Sequence, residues 1–264
     1  MKITVFTGNQ SRHIRFIERL SEVASQLFVV QECTTIFPGM VADLYGKSSV
    51  MKSYFSGVRE AEVEVFGRPR FLAKGVSNIS IKDGDLSLLD LDQLDVALDS
   101  DVYIVFGASF IKGPLLDFLL LNKAINIHMG VSPFYRGSSC NFWAFYDDRP
   151  DLVGATVHRL SKGLDSGGML FHALPAARDC LPLELGMFAV DAAQKGVVAK
   201  ILDGSLFSME EVQQDKSYEL RYSRHTEFND EVASEFLSRK TDEFDVCGKI
   251  KERNTEIFLR PFIA

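Results

Sequence analysis

Ile125-Asn126-Ile127-His128-Met129-Gly130-Val131-Ser132-Pro133-Phe134-Tyr135-Arg136-Gly137 is the stretch whose alternation decides the fold class. Successive side chains of an extended strand point to opposite faces. Ala124, Asn126 and His128 therefore share one face, and Ile125 and Ile127 the other. The isoleucines anchor a strand in a core, while an amide and an imidazole stand together at its exit. Ser132-Pro133 forms a turn that cannot continue the strand. Polar groups at the carboxyl end of a strand lie where open α/β sheets bind ligands.

Working outward, Ile3–Phe6 reads as a buried strand that ends at Thr7-Gly8-Asn9-Gln10. A helix follows, with Phe16, Ile17, Leu20, Val23, Ala24 and Leu27 at helical spacing, and Leu27–Gln31 reads as a second strand. Residues 38–70 read as an interrupted helix whose charged stretch, Val58–Glu64, is a solvated face, and Asp83-Gly84-Asp85 marks a turn. Asp101–Phe106 is a strand, Gly107–Ile111 a loop and Pro114–Leu121 a short helix. Gly154–Leu160 alternates as a further strand, leading through the Asp165 loop to Gly168–Ala173. Val190, Ala193, Val197, Val198, Ile201 and Leu202 form one helical face closed by Gly204. Strands and helices alternating in this way predict a doubly wound, mostly parallel α/β sheet. Gly8 is a lone glycine rather than a GxGxxG fingerprint, so a dinucleotide site is not supported. Residues 1–205 form the expected main domain and residues 206–264 a small carboxyl-terminal appendage.

Composition narrows the partners. Hydrophobic content of 46% and charged content of 25% are those of a soluble globular protein. A net charge of −7 argues against a nucleic-acid partner, whose phosphates need clustered Lys and Arg. Residues 205–264 hold nine Lys and Arg against thirteen Asp and Glu, so the tail is no basic clamp. Cys33, Cys140, Cys180 and Cys247 form no CxxC or Cys/His cluster, which predicts reduced thiols and no metal site. The longest apolar runs, Val102–Phe106 and Phe118–Leu121, fall far below a membrane span. The amino-terminal apolar run is too short for a signal peptide. The expected location is the cytoplasm.

Asn126-x-His128, then Pro133-x-Tyr135-Arg136-Gly137, then Gly163-Leu164-Asp165-Ser166-Gly167 resembles, in residues and in order, the folate-dependent formyltransferase family. That family includes glycinamide ribonucleotide formyltransferase, methionyl-tRNA formyltransferase and the sugar N-formyltransferases. The resemblance runs from about residue 100 to 205 and fades towards both ends. It departs at Gly168, where Pro or Asp is common, at Met129-Gly130, where Pro and a small residue are common, and at Ser132, which replaces a common Leu. No GxSxG turn surrounds Ser132, which excludes the usual nucleophile elbow.

The resemblance implies catalytic roles for Asn126, His128 and Asp165. Formyl transfer deprotonates an amine, passes through a tetrahedral carbon bearing an oxyanion, and expels the folate nitrogen. An imidazole titrating near neutrality suits the proton transfers. A neutral amide N–H suits the oxyanion, and a carboxylate orients the imidazole and raises its pKa. The resemblance also implies a folate pocket lined by Phe106, Gly107, Ala108, Ser109, Phe110 and Ile111 with Gly163 and Leu164, although Phe106, Phe110 and Ile111 equally suit a core. Arg12, Tyr135, Arg136 and Gly137 are the implied acceptor-binding residues. Arg12 opens a helix whose amino terminus suits a phosphate or simply water. Trp143 and the other histidines, His158, His172 and His225, read as structural or exposed.

The implied formyl donor is 10-formyltetrahydrofolate, with no metal. The acceptor is a small-molecule primary amine, foremost an amino sugar on a nucleotide, with neither nucleic acid nor membrane as partner; a homodimer is compatible with the sequence. The alternatives are a methionyl-tRNA or purine-pathway type of formyltransferase, a formyltetrahydrofolate hydrolase, and a folate-binding module without turnover.

Overall fold

Ile3, Val5 and Phe6 are fully buried, as they must be in a strand covered on both faces. They lie in β1 (Lys2–Thr7) of a computed structural model that describes residues 1–35, 47–239 and 246–264. The helix Ser11–Ser21 leads to β2 (Gln26–Cys33), and the helix Ser49–Phe66 to β3 (Val76–Lys82). β4 (Val102–Phe106), the helix Gly113–Leu121 and β5 (Ile125–His128) follow. Beyond them come β6 (Tyr135–Gly137), the helix Cys140–Tyr146, β7 (Ala155–Arg159) and β8 (Met169–Leu174). The long helix Pro182–Leu202 covers one face, and β9 (Arg221–Ser223) and β10 (Phe262–Ile263) belong to the tail.

An eight-stranded sheet runs β10-β8-β7-β5-β4-β1-β2-β3. β2, β3, β4 and β5 join it in parallel, whereas β7 runs antiparallel to β5 and β8 to β7. This is the doubly wound, mostly parallel arrangement the sequence predicts. Ile125 and Ile127 sit at 1% and 3% exposure, each contributing about 1.5–3 kcal/mol of burial. Strand order reverses at β1, which pairs with β2 on one side and β4 on the other. Loops leaving the ends of β1 and β4 border the crevice where such sheets hold ligands.

Several boundaries differ from expectation. The first helix stops at Ser21, and Leu27 instead pairs with Ile3 across the sheet. β3 escapes sequence reading because it is an edge strand whose residues are mostly exposed. The interrupted helix is continuous over Ser49–Phe66, and the part of that reading at 38–46 lies outside the described residues. Its charged stretch is not wholly solvated: Glu62 is buried, accepts from the Arg12 backbone N–H at 3.0 Å and pairs with Arg12 Nη1 at 2.9 Å.

Residues 206–264 are stitched into the rest of the chain. β9 pairs in parallel with β6, and β10 adds to the main sheet beside β8. Among the described residues, no helix is long and apolar enough to cross a membrane.

Candidate active site

β5 presents Asn126 and His128 on one face, and the loop between β7 and β8 doubles back over that face. The fold of the loop is fixed at its base, where Arg159 N donates to Gly168 O at 2.9 Å. Gly167 has to be glycine, because a Cβ there would lie 1.8 Å from Arg159 O. The turn carries Asp165 at φ 45, in the left-handed region that Asp tolerates better than most residues.

The three residues singled out by motif meet. Asn126 Nδ2 donates to Asp165 Oδ1 at 3.0 Å, and His128 Nδ1 lies 3.1 Å from Asp165 Oδ2. Both carboxylate oxygens are thus engaged, one by an amide and one by an imidazole. Burial works against the charge of Asp165, but its contacts with the imidazoles, His128 foremost, hold it well below the usual carboxylate range. Burial also opposes an imidazolium at His128, yet the Cys140 sulfur and the Asp165 carboxylate outweigh it and raise the ring to about 10. This shift places the ring on its protonated side at neutral pH.

Two members of the cluster were missed in the sequence. His158 faces Asn126 across the β5–β7 pairing. Its Nδ1 lies 2.7 Å from Arg159 O and carries the proton, leaving Nε2 towards Asn126 Nδ2 at 3.1 Å and Asp165 Oδ1 at 3.6 Å. The second member is Cys140, whose sulfur lies 3.4 Å from His128 Nε2 and 3.4 Å from Gly137 O. Neither could be read from spacing, because one depends on an antiparallel register and the other on a turn through Ser132-Pro133.

The remaining sequence-selected residues are dispersed. Phe106 and Ile111 are core, with 2% and 4% exposure, whereas Phe110 and Leu164 face solvent at 49% and 52%. Ala108 packs partly against the core, and the Ser109 N–H and hydroxyl both donate to the buried Glu32, at 2.5 and 2.7 Å. The loop Gly107–Ile111 is thereby tied to the end of β2. Gly163 lies beneath Ser161, whose hydroxyl donates to its carbonyl at 2.9 Å. Arg12 is paired with Glu62, the Tyr135 hydroxyl donates to Asp147 at 3.2 Å, and Arg136 Nη1 donates to Glu219 at 2.8 Å. Gly137 lies in β6 beside Ser223. His172 is buried, with Nε2 2.8 Å from Ser132 O, and His225 is exposed. Trp143 is core at 3% exposure.

This chain has the fold of the formyltransferases. A sugar N-formyltransferase from a Shewanella species superposes with a TM-score of 0.53 at 15% identity, over 93% of this chain and 86% of that one. The Helicobacter canadensis N-formyltransferase, solved with folinic acid and dTDP-3-aminofucose, superposes with a TM-score of 0.52 at 12% identity, over 99% and 84%. In sequence, 115 residues, or 43% of this chain, are 31% identical to a methionyl-tRNA formyltransferase from Synechococcus sp. (strain JA-3-3Ab). The match spans only 34% of that curated relative. No family model matches the chain.

Proposed function

We propose that the protein is an N-formyltransferase that moves a formyl group from 10-formyltetrahydrofolate to a primary amine, with an amino sugar on a nucleotide as the favoured acceptor. The observation that carries this reading is the closed cluster of Asn126, His128 and Asp165, with Nδ1 of the imidazole 3.1 Å from the carboxylate. The solvent-facing Phe110 and Leu164 suit a flat aromatic ring, and the loop Gly107–Ile111 supplies backbone groups for its polar edge. When bound, the folate supplies an activated formyl carbon on a nitrogen leaving group.

His128, held as imidazolium by Asp165, donates its proton towards the developing oxyanion or the departing nitrogen. Once neutral, it accepts the proton that the attacking amine must lose. Asp165 keeps the ring oriented and stabilises its charge. Both amide hydrogens of Asn126 are engaged, so donation to an oxyanion requires releasing one. The bond to the His158 ring nitrogen is weaker than the charge-assisted one to the Asp165 carboxylate and is the one to exchange. Residues 1–205 would carry this chemistry, with 206–264 as the appended part.

A second acceptor class is favoured by one observation, the 31% identity to a methionyl-tRNA formyltransferase. The acidic balance of residues 205–264 weighs against gripping tRNA. Chromatography of 10-formyltetrahydrofolate mixed with the protein, with and without a panel of nucleotide-linked amino sugars and charged initiator tRNA, tests the reading. Tetrahydrofolate release that depends on an amino sugar supports it. Release without any amine would make the protein a hydrolase, and dependence on tRNA would replace the sugar acceptor.

A further inference from the structure

Gln214 belongs to the segment the sequence assigns to an appendage, yet its side chain reaches the loop that carries Asp165. Its Nε2 donates to Asp165 O at 2.7 Å and to Gly167 O at 3.1 Å. An amide nitrogen carries two hydrogens, so one side chain satisfies two carbonyls of a single turn. Gln214 Oε1 is buried without a hydrogen-bond partner, so the amide's protein contacts are spent entirely on the loop.

The segment that delivers Gln214 is itself fixed. Met169 N donates to Val212 O at 2.8 Å and Val212 N to Met169 O at 2.9 Å, a bridge onto the start of β8. Arg260 Nη1 donates to Glu210 O at 2.9 Å and to Leu170 O at 2.8 Å, which clamps the same segment from the other side. A second, independent observation lies at Gly168, where the chain departs from the formyltransferase pattern. A Cβ on residue 168 would come within 2.6 Å of Glu211 Oε2 and 2.8 Å of Glu211 Cβ. The glycine thus leaves room for the tail segment to lie against the loop.

The loop needs such support. Asp165 sits at φ 45, a conformation that costs a non-glycine residue about 1–3 kcal/mol and persists only where its surroundings enforce it. Its carboxylate must also stay within hydrogen-bond reach of both Asn126 and His128. We propose that Gln214 is a positioning residue for Asp165, so that residues 206–264 complete the site through one side chain. The catalytic meaning of this rests on the formyltransferase reading above, but the effect on His128 does not.

The test is the titration of the His128 ring, followed by NMR in labelled wild-type protein and in Gln214→Met, Gln214→Ala and Gln213→Ala, with thermal midpoints recorded for each. Gln214→Met keeps the bulk of the side chain and removes its donors; Gln214→Ala serves if Met packs badly. In both, the His128 titration should move down by at least about one pH unit, as expected when an opposite charge leaves its neighbour. Gln213→Ala removes an exposed side chain that also lies near Gly168 but, unlike Gln214, donates to neither Asp165 O nor Gly167 O, and should titrate as wild type. With a working donor and acceptor, the Gln214 variants should lose about 10- to 100-fold in kcat, the scale of a misplaced catalytic group, with the donor KM little changed. A lowered melting point with a wild-type His128 titration would show a merely structural role and overturn the proposal. If wild type transfers no formyl group but the titration moves as stated, the functional reading falls and the positioning inference stands.

Discussion

At the scale of single residues, the pairing of His128 with Asp165 sets the sign of every pH effect. His128 is raised to about 10 by groups that outweigh its burial, so its protonated, donating form prevails at neutral pH and is lost as pH rises through that value. The alkaline limb of the kcat profile should therefore follow this ring. Asp165→Asn keeps the shape of the side chain, removes its charge and should move that limb to lower pH, while cutting turnover by roughly 10²-fold or more. A pH–rate profile measured on the variant checks both; an unmoved limb would assign the titration to another group. Asn126→Ala should cost about 10²–10³-fold, as for a lost oxyanion donor, with circular dichroism near wild type and a lowered melting point, because Asp165 Oδ1 loses its amide donor. The meeting of the three motif residues was legible because a polar pair at a strand exit and a carboxylate in a glycine-flanked loop stand out in sequence. His158, Cys140 and Gln214 were not, since their roles come from register and from a chain return that spacing does not encode.

At the scale of elements, β1, β2 and β4 were readable from apolar runs, as strands buried on both faces show, and β5 from the alternation of Ile125 and Ile127 with Asn126 and His128. β3 was not, since an exposed edge strand has no buried face to impose a period. β6 and β9 are three-residue strands whose pairing is a tertiary event. The loop after β4 was correctly placed by its glycine, but its anchor was hidden. Glu32, at the end of β2, accepts from Gly84 N at 2.9 Å as well as from both Ser109 donors. Buried donors that lose their acceptor cost about 1–3 kcal/mol each. Glu32→Ala should therefore lower stability by at least that much in urea denaturation and weaken folate binding, measured by fluorescence titration. Unchanged folate affinity at reduced stability would detach this loop from the proposed pocket.

At the scale of the whole molecule, the charge balance weighs against a polyanionic partner. The chain carries a net charge of −7, and its tail is acidic on balance, so no salt-sensitive sub-micromolar complex with initiator tRNA should form at physiological ionic strength. Filter binding across a salt series checks this, and a tight, salt-dependent complex would favour the translation-linked acceptor. The tail closes on the sheet through β10 and on the Asp165 loop through Gln214. The central claim, that the cluster at the end of β5 transfers a formyl group, is tested most directly by following a carbon-labelled formyl group from 10-formyltetrahydrofolate into a nucleotide-linked amino sugar, with wild type and His128→Ala side by side. The account predicts label in the amide product with wild type and a rate about 10²–10⁴-fold lower in the variant; transfer by His128→Ala at the wild-type rate would contradict it.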